Sequence, residues 1–158
     1  MMLQEMLIDK QVKENSTSAW GDVADYENGS TVPFRTTVTL PSNLDLYEHY
    51  YMEIIDELDE KFEVPTNITV KIGTTYETAT NVTVVEDGGS GNCRKYIDDN
   101  DLTITIEDIK ELKENISPDD KIFIEYNSII QNASFFGKGE AHLYYSNDPN
   151  LYTYQPNI

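Results

Sequence analysis

The sequence predicts an all-β sandwich, and three observations carry that prediction. Apolar and polar residues alternate in a series of short runs; Asn, Asp, Gly and Pro clusters separate the runs; and the helical turn that fits "IKELKENISPDD" is short. Tyr, at 11 residues, and Thr are abundant, as suits pleated, half-buried surfaces.

The elements follow in order. "MLIDKQV" places Ile8, Lys10 and Val12 on one face, although Leu3, Met6 and Leu7 would suit a helix over residues 1–15 equally well. A polar stretch, "KENSTSAWGDVADYENGS", separates it from "TVPFRTTVTL", where Val32, Phe34, Thr36, Val38 and Leu40 line one face before Pro41 ends the run. In "HYYMEIIDEL" the row is Tyr50, Met52, Ile54 and Asp56; Glu and Leu would tolerate a helix, but the paired Tyr and Ile residues favour a strand. "NITVKIG", "TNVTVVED" and "DLTITIED" are three further strands. "IKELKENISPDD" fits a helical turn closed by Pro118, and "KIFIEYNSII" is again a strand. "GEAHLYYSNDPN" comes last: Ala141, Leu143 and Tyr145 face one way, Glu140, His142 and Tyr144 the other, and Gly139 heads the inward row.

Composition narrows the function classes. A chain of 158 residues is most simply one domain, 1–158, able to bury about two-thirds of its unfolded surface. A net charge of -18 and a pI near 4.2 exclude nucleic acid as a partner and disfavour anionic membrane surfaces. No apolar run approaches the roughly 18 residues of a membrane span. "MMLQEM" lacks the basic start and apolar core of a signal peptide, as a domain excised from a larger protein would.

The single cysteine, Cys93, cannot form an intrachain disulfide, and its Gly-rich setting reads as exposed and inert. No cofactor or metal is expected: "YIDDNDLT" and "YYSNDPN" concentrate oxygen ligands without calcium-loop spacing, and His49 and His142 are isolated. With no phosphate loop and no Ser-His-Asp order, the chain is not expected to be a turnover enzyme.

Lys10 and Asp56 are the two ionisable residues that the alternation turns inward. Either they lie at an edge where the Lys stem reaches water, or they sit together. If together, burial disfavours charge on both, leaving an amine able to attack and a protonated carboxyl able to stabilise an oxyanion. An Asn amide placed between them would be attacked, expelling ammonia and leaving a Lys-to-Asn isopeptide bond.

The order "IDKQV", "WGDVADYENGSTVPFRTTVTLP", "YYMEIIDEL", "DLTITIEDIKEL", "IFIEYNSIIQNA", "AHLYYSNDPN" resembles the D2-type isopeptide-forming domain of Gram-positive, sortase-assembled pilus backbone subunits. The resemblance covers most of the chain. Its most specific motif is "YSNDPN" after an alternating strand, followed by "NGSTVPF". It implies an immunoglobulin-like sandwich of the collagen-adhesin type, with Lys10 as the isopeptide lysine and Asp56 as the assisting acid. The acceptor Asn would stand two residues before Ala141, where this chain has Gly139. The bond is therefore expected to be absent. Asn147, eight residues along the same face, is a substitute acceptor, though backbone hydrogen bonding in the turn accounts for it.

The resemblance further implies a stiff structural domain at the cell surface, wall-anchored, partnered by other pilin subunits or domains of the same protein. The rival from another class is a binding module for a host matrix protein or a glycan. It would use loops such as "GGSGNCRKYIDDND" and "SAWGDVADYENGS", with an exposed Trp20.

Overall fold

A computed structural model describes residues 7–15, 17–21, 23–58, 61–131, 135–137 and 140–145. Thirteen strands run through these residues: β1 (Leu7–Lys13), β2 (Trp20–Gly21), β3 (Val23–Asp25), β4 (Thr31–Thr39), β5 (Met52–Glu57), β6 (Thr66–Gly73), β7 (Thr80–Val82), β8 (Val85–Glu86), β9 (Cys93–Asp98), β10 (Asp101–Ile106), β11 (Lys121–Ile129), β12 (Phe135–Gly137) and β13 (Glu140–Tyr145). The described helical pieces are 3-10 turns at Leu44–Leu46 and Ile109–Glu111, the second inside the segment read as a helical turn.

Two sheets face each other. One has the order β2-β1-β4-β11-β6-β7, the other β13-β5-β10-β9-β8, and β12 and β3 form a small separate pair. Pairing is antiparallel except between β8 and β9. The core is the inner face of both sheets, and strict alternation builds it: Val32, Phe34, Thr36, Val38 and Leu40 are all buried, as are Tyr50, Met52, Ile54 and Asp56. The "HYYMEIIDEL" segment is thus a strand from Met52, and the first strand begins by Leu7.

Four expectations need correction. "TNVTVVED" is not one strand: β7 and β8 belong to different sheets, and the chain crosses between them at Thr83 and Val84. The second half of the Gly-rich loop is the strand β9, joined to β10 by a two-residue turn in which Asp99 takes φ 55, a conformation Asp tolerates better than most residues. Cys93 is buried at the start of that strand. Trp20 is half-buried, with the Arg35 guanidinium 4.3 Å from its ring.

Arg35 also lies 4.0 Å from the Tyr76 ring and donates to Glu125 at 2.7 Å, so the outer face of the larger sheet carries a Trp-Arg-Tyr stack. Tyr76 reaches the stack because the loop after β6 doubles back. A Cβ at Gly73 would stand 2.7 Å from the Ala79 backbone, so only glycine admits that approach.

Candidate functional site

The larger sheet contributes Lys10 from β1, and the smaller contributes Asp56 from β5. Lys10 sits opposite Thr36 of β4, and Asp56 between Leu102 of β10 and Ala141 of β13. Both alternations turn the charged side chain inward, so the two meet across the space between the sheets. Lys10 is 4% exposed and Asp56 3%, and Lys10 Nζ donates a hydrogen bond to Asp56 Oδ1. The edge reading of these residues is therefore set aside: the sequence placed them on core faces, and they are together.

Aromatic rings wall the pair. Lys10 Nζ lies 5.1 Å from the Phe34 ring centre and 5.9 Å from that of Tyr126. These rings stack at 5.3 Å and 22°, and Phe62 closes edge-on against Phe34 at 5.2 Å. The ring faces partly compensate the ammonium for lost water. They offer the carboxylate nothing comparable.

Electrostatics follow from that asymmetry. Burial pushes the Asp56 carboxyl above the usual carboxylate range, and the charge of Asp101 adds to the rise; Lys10 and the Tyr126 hydroxyl oppose it without reversing it. Tyr126 is pushed well above the usual phenol range, first by burial and then by the negative charge of Asp56. The phenol and carboxyl are thus close enough to be coupled. They stop short of a well-formed hydrogen bond, and Asp56 Oδ2 and Tyr126 Oη lack a partner among the described residues.

The arrangement has a definite chemical capacity. Transfer of one proton from Nζ to Oδ1 turns the ion pair into a neutral amine beside a carboxylic acid with no change in net charge. Burial, which raises the Asp56 carboxyl, works in the direction of that neutral state. The amine is then a nucleophile, and the acid a hydrogen-bond donor to a carbonyl oxygen. Gly139 and Asn147 lie outside the described residues.

Sequence reasoning missed the walls of the site, Phe34 and Tyr126. Both stand on inward rows, and Tyr126 was visible as the polar member of Ile122, Ile124, Tyr126. It also missed Asp108, a buried carboxylate that accepts from the Tyr50 and Lys110 backbone N–H groups, each at 3.0 Å. His49 Nδ1 lies 2.8 Å from the same carboxylate, so this histidine is part of a structural bracket and not isolated. Burial pushes the Cys93 thiol up to about 12, consistent with an inert cysteine despite its misjudged exposure.

No protein-family model matches the chain, and no curated protein matches it in sequence. Solved structures do resemble it. The 35 kDa C-terminal fragment of the major pilin GBS80 of Streptococcus agalactiae superposes with a TM-score of 0.59 at 19% identity, covering 96% of this chain and 53% of that fragment. The T6 backbone pilin of serotype M6 Streptococcus pyogenes gives 0.59 at 18% identity, covering 97% and 33%. BcpA, the major pilin subunit of Bacillus cereus, gives 0.57 at 15%, covering 90% and 35%. The chain therefore has the immunoglobulin-like sandwich fold found in Gram-positive pilins, and spans between about a third and about half the length of these three chains.

Proposed function

We propose that the chain is a structural domain of a Gram-positive pilus subunit or related adhesin, displayed at the cell surface and joined to other pilin subunits or domains. Within it, Lys10 and Asp56 are the retained lysine and assisting acid of a D2-type isopeptide site whose acceptor position is occupied by Gly139. One observation carries this reading: a lysine of the first strand and an aspartate of a middle strand meet, buried and hydrogen-bonded, inside a sandwich with the pilin fold. The domain is a mechanical link and not a turnover enzyme.

Intact mass tests the reading in two steps. The unmodified chain is expected at its sequence mass, and a deficit of one ammonia would show that another residue, Asn147 first, serves as acceptor. Gly139→Asn is expected to restore the missing amide and produce that deficit, with Lys10 linked to the introduced side chain in peptide mapping. A Gly139→Asn chain that keeps its full mass after prolonged incubation would sink the reading. The Trp20 ring that the rival binding module would present is half-buried and packed against Arg35, and a glycan or host-matrix binding assay tests that rival directly.

A further inference from the structure

We propose that Asn28 is a self-modification site, gated by one hydrogen bond: its side-chain amide is lost to the neighbouring backbone when the bond from Gly29 N–H to the Ile130 carbonyl opens, and isoaspartate is left in the turn before β4. The proposal is independent of the crosslink reading above.

The "NGSTVPF" motif opens with the sole Asn-Gly pair of the sequence. Asn28 and Gly29 are exposed and fill the central positions of a β-turn, closed by Ser30 N–H donating to the Glu27 carbonyl at 3.1 Å, with Gly29 at φ 85. Gly29 has no side chain to screen its nitrogen, and that nitrogen is the atom whose attack on Asn28 Cγ closes a cyclic imide.

The fold holds this nucleophile back. Gly29 N–H donates to the Ile130 carbonyl at 2.7 Å, and Ile130 N–H returns a bond to the Ser30 carbonyl at 3.1 Å. Both continue the ladder between β4 and β11 beyond its last pair, Thr31 and Ile129, and Ile130 is 0% exposed. A nitrogen whose proton is held by a carbonyl is not released for attack. The imide has no N–H at that nitrogen, so the bond to Ile130 must break before the ring closes.

A second turn of the same design shows what each part contributes. Asp87 and Gly88 are closed by Gly89 N–H on the Glu86 carbonyl at 3.3 Å, with Gly88 at φ 96. Here the Gly88 N–H has no partner among the described residues. The side chain, however, is a carboxyl that accepts from Arg94 Nε at 3.2 Å, with no amine to expel. One turn has the leaving group and a guarded nucleophile; the other has an open nucleophile and no such leaving group.

Once the Ile130 bond opens, Gly29 N attacks Asn28 Cγ, the bond from Cγ to the amide nitrogen breaks, and that nitrogen leaves as ammonia with the proton from Gly29. Solvent water then opens the imide. Attack at its backbone carbonyl routes the chain through the former side chain, which is isoaspartate, and nothing is oxidised or reduced. The imide is transient, and the product carries an added negative charge and slightly more mass than the starting chain. A crosslink, by contrast, leaves a lasting deficit of ammonia.

The test incubates the purified chain in mildly alkaline buffer, folded and in urea. Peptide mapping follows isoaspartate at Asn28, and hydrogen exchange follows the Gly29 amide at the same pH. Folding should slow the conversion of Asn28 by the same factor, within about threefold, as it protects the Gly29 amide, because both processes need one local opening. A mismatch of about tenfold or more would show that another feature of the turn sets the rate and would overturn the proposal, as would equal conversion rates in the folded and unfolded chains. Ile130→Ala weakens the packing under the turn and should speed conversion and exchange together; conversion that stays put while exchange rises would also sink the gate. If Ile130→Ala does not fold, low concentrations of urea added to the unmodified chain make the same comparison, with the same outcomes.

Discussion

On one side of the sandwich the chain itself passes from sheet to sheet. β7 ends at Val82 in the six-stranded sheet, two residues follow, and β8 starts at Val85 in the five-stranded one, with Val82 and Val84 packed against the core. On the other side stand the first and last of the described strands, β1 and β13, in different sheets and far apart in sequence. There the sheets are bridged by the hydrogen-bonded charges of Lys10 and Asp56. A covalent crossing holds its sheets together whatever the side chains do. A buried ion pair does so only while both members are present, since its attraction roughly offsets the cost of taking two charges out of water.

The largest expected effect breaks the weaker seam. Lys10→Met should destabilise the fold by about 3–5 kcal/mol, because Asp56 is left buried without its partner and must take up a proton or stand as an unpaired charge, whereas the Lys10→Met/Asp56→Leu double variant should come back to near the original stability. Urea unfolding of the three chains checks both statements, and a double variant as weak as the single one would show that the pair contributes far more than it costs. Next in size, a crosslink in Gly139→Asn should add a few kcal/mol, by analogy with a disulfide closing a long loop. Its urea midpoint relative to the unmodified chain measures this.

The effect of pH is smaller. Because the folded-state pKa of Asp56 is raised, folding takes up protons between the unfolded and folded values. The contribution of this group to stability is full below the unfolded carboxylate range and is lost as pH rises through the higher folded value. Measured as a difference from the Lys10→Met/Asp56→Leu chain, stability should therefore fall with rising pH across that interval, and a rise would mean that Lys10 outweighs burial. Smallest of all, four Gly or Ser residues inserted between Thr83 and Val84 should cost about 1 kcal/mol, the closure entropy of a longer loop. A loss of several kcal/mol would show that the crossing depends on packing and not on chain connection alone.

How much of this was legible in the sequence depended on what each stretch had to bury. Strands such as β4 and β5 bury one full face, so a period of two was plain, and the same period exposed Lys10 and Asp56 as misplaced charges. β9 was hidden because its row runs Cys93, Lys95, Ile97, and a lysine in the middle looks like a loop until its amine is found 3.7 Å from Glu86 on β8. β2 and β8 are two residues each, too short to carry any period. The break at Thr83 and Val84 was invisible because one alternation continues smoothly into the next while the chain changes sheets. Tyr126 could be placed on an inward row, but not beside Asp56, since that proximity depends on how the two sheets face each other.

The stack on the outer face gives the molecule an optical property. Trp20 is its only tryptophan, it belongs to the short strand flanking β1, and a cation rests against its ring. Its fluorescence therefore reports on the local environment of the first strand, from a position outside the core. If β1 detaches before the rest of the sandwich melts, the emission will change ahead of the circular dichroism of the sheets, and the order of the two signals will show which seam opens first.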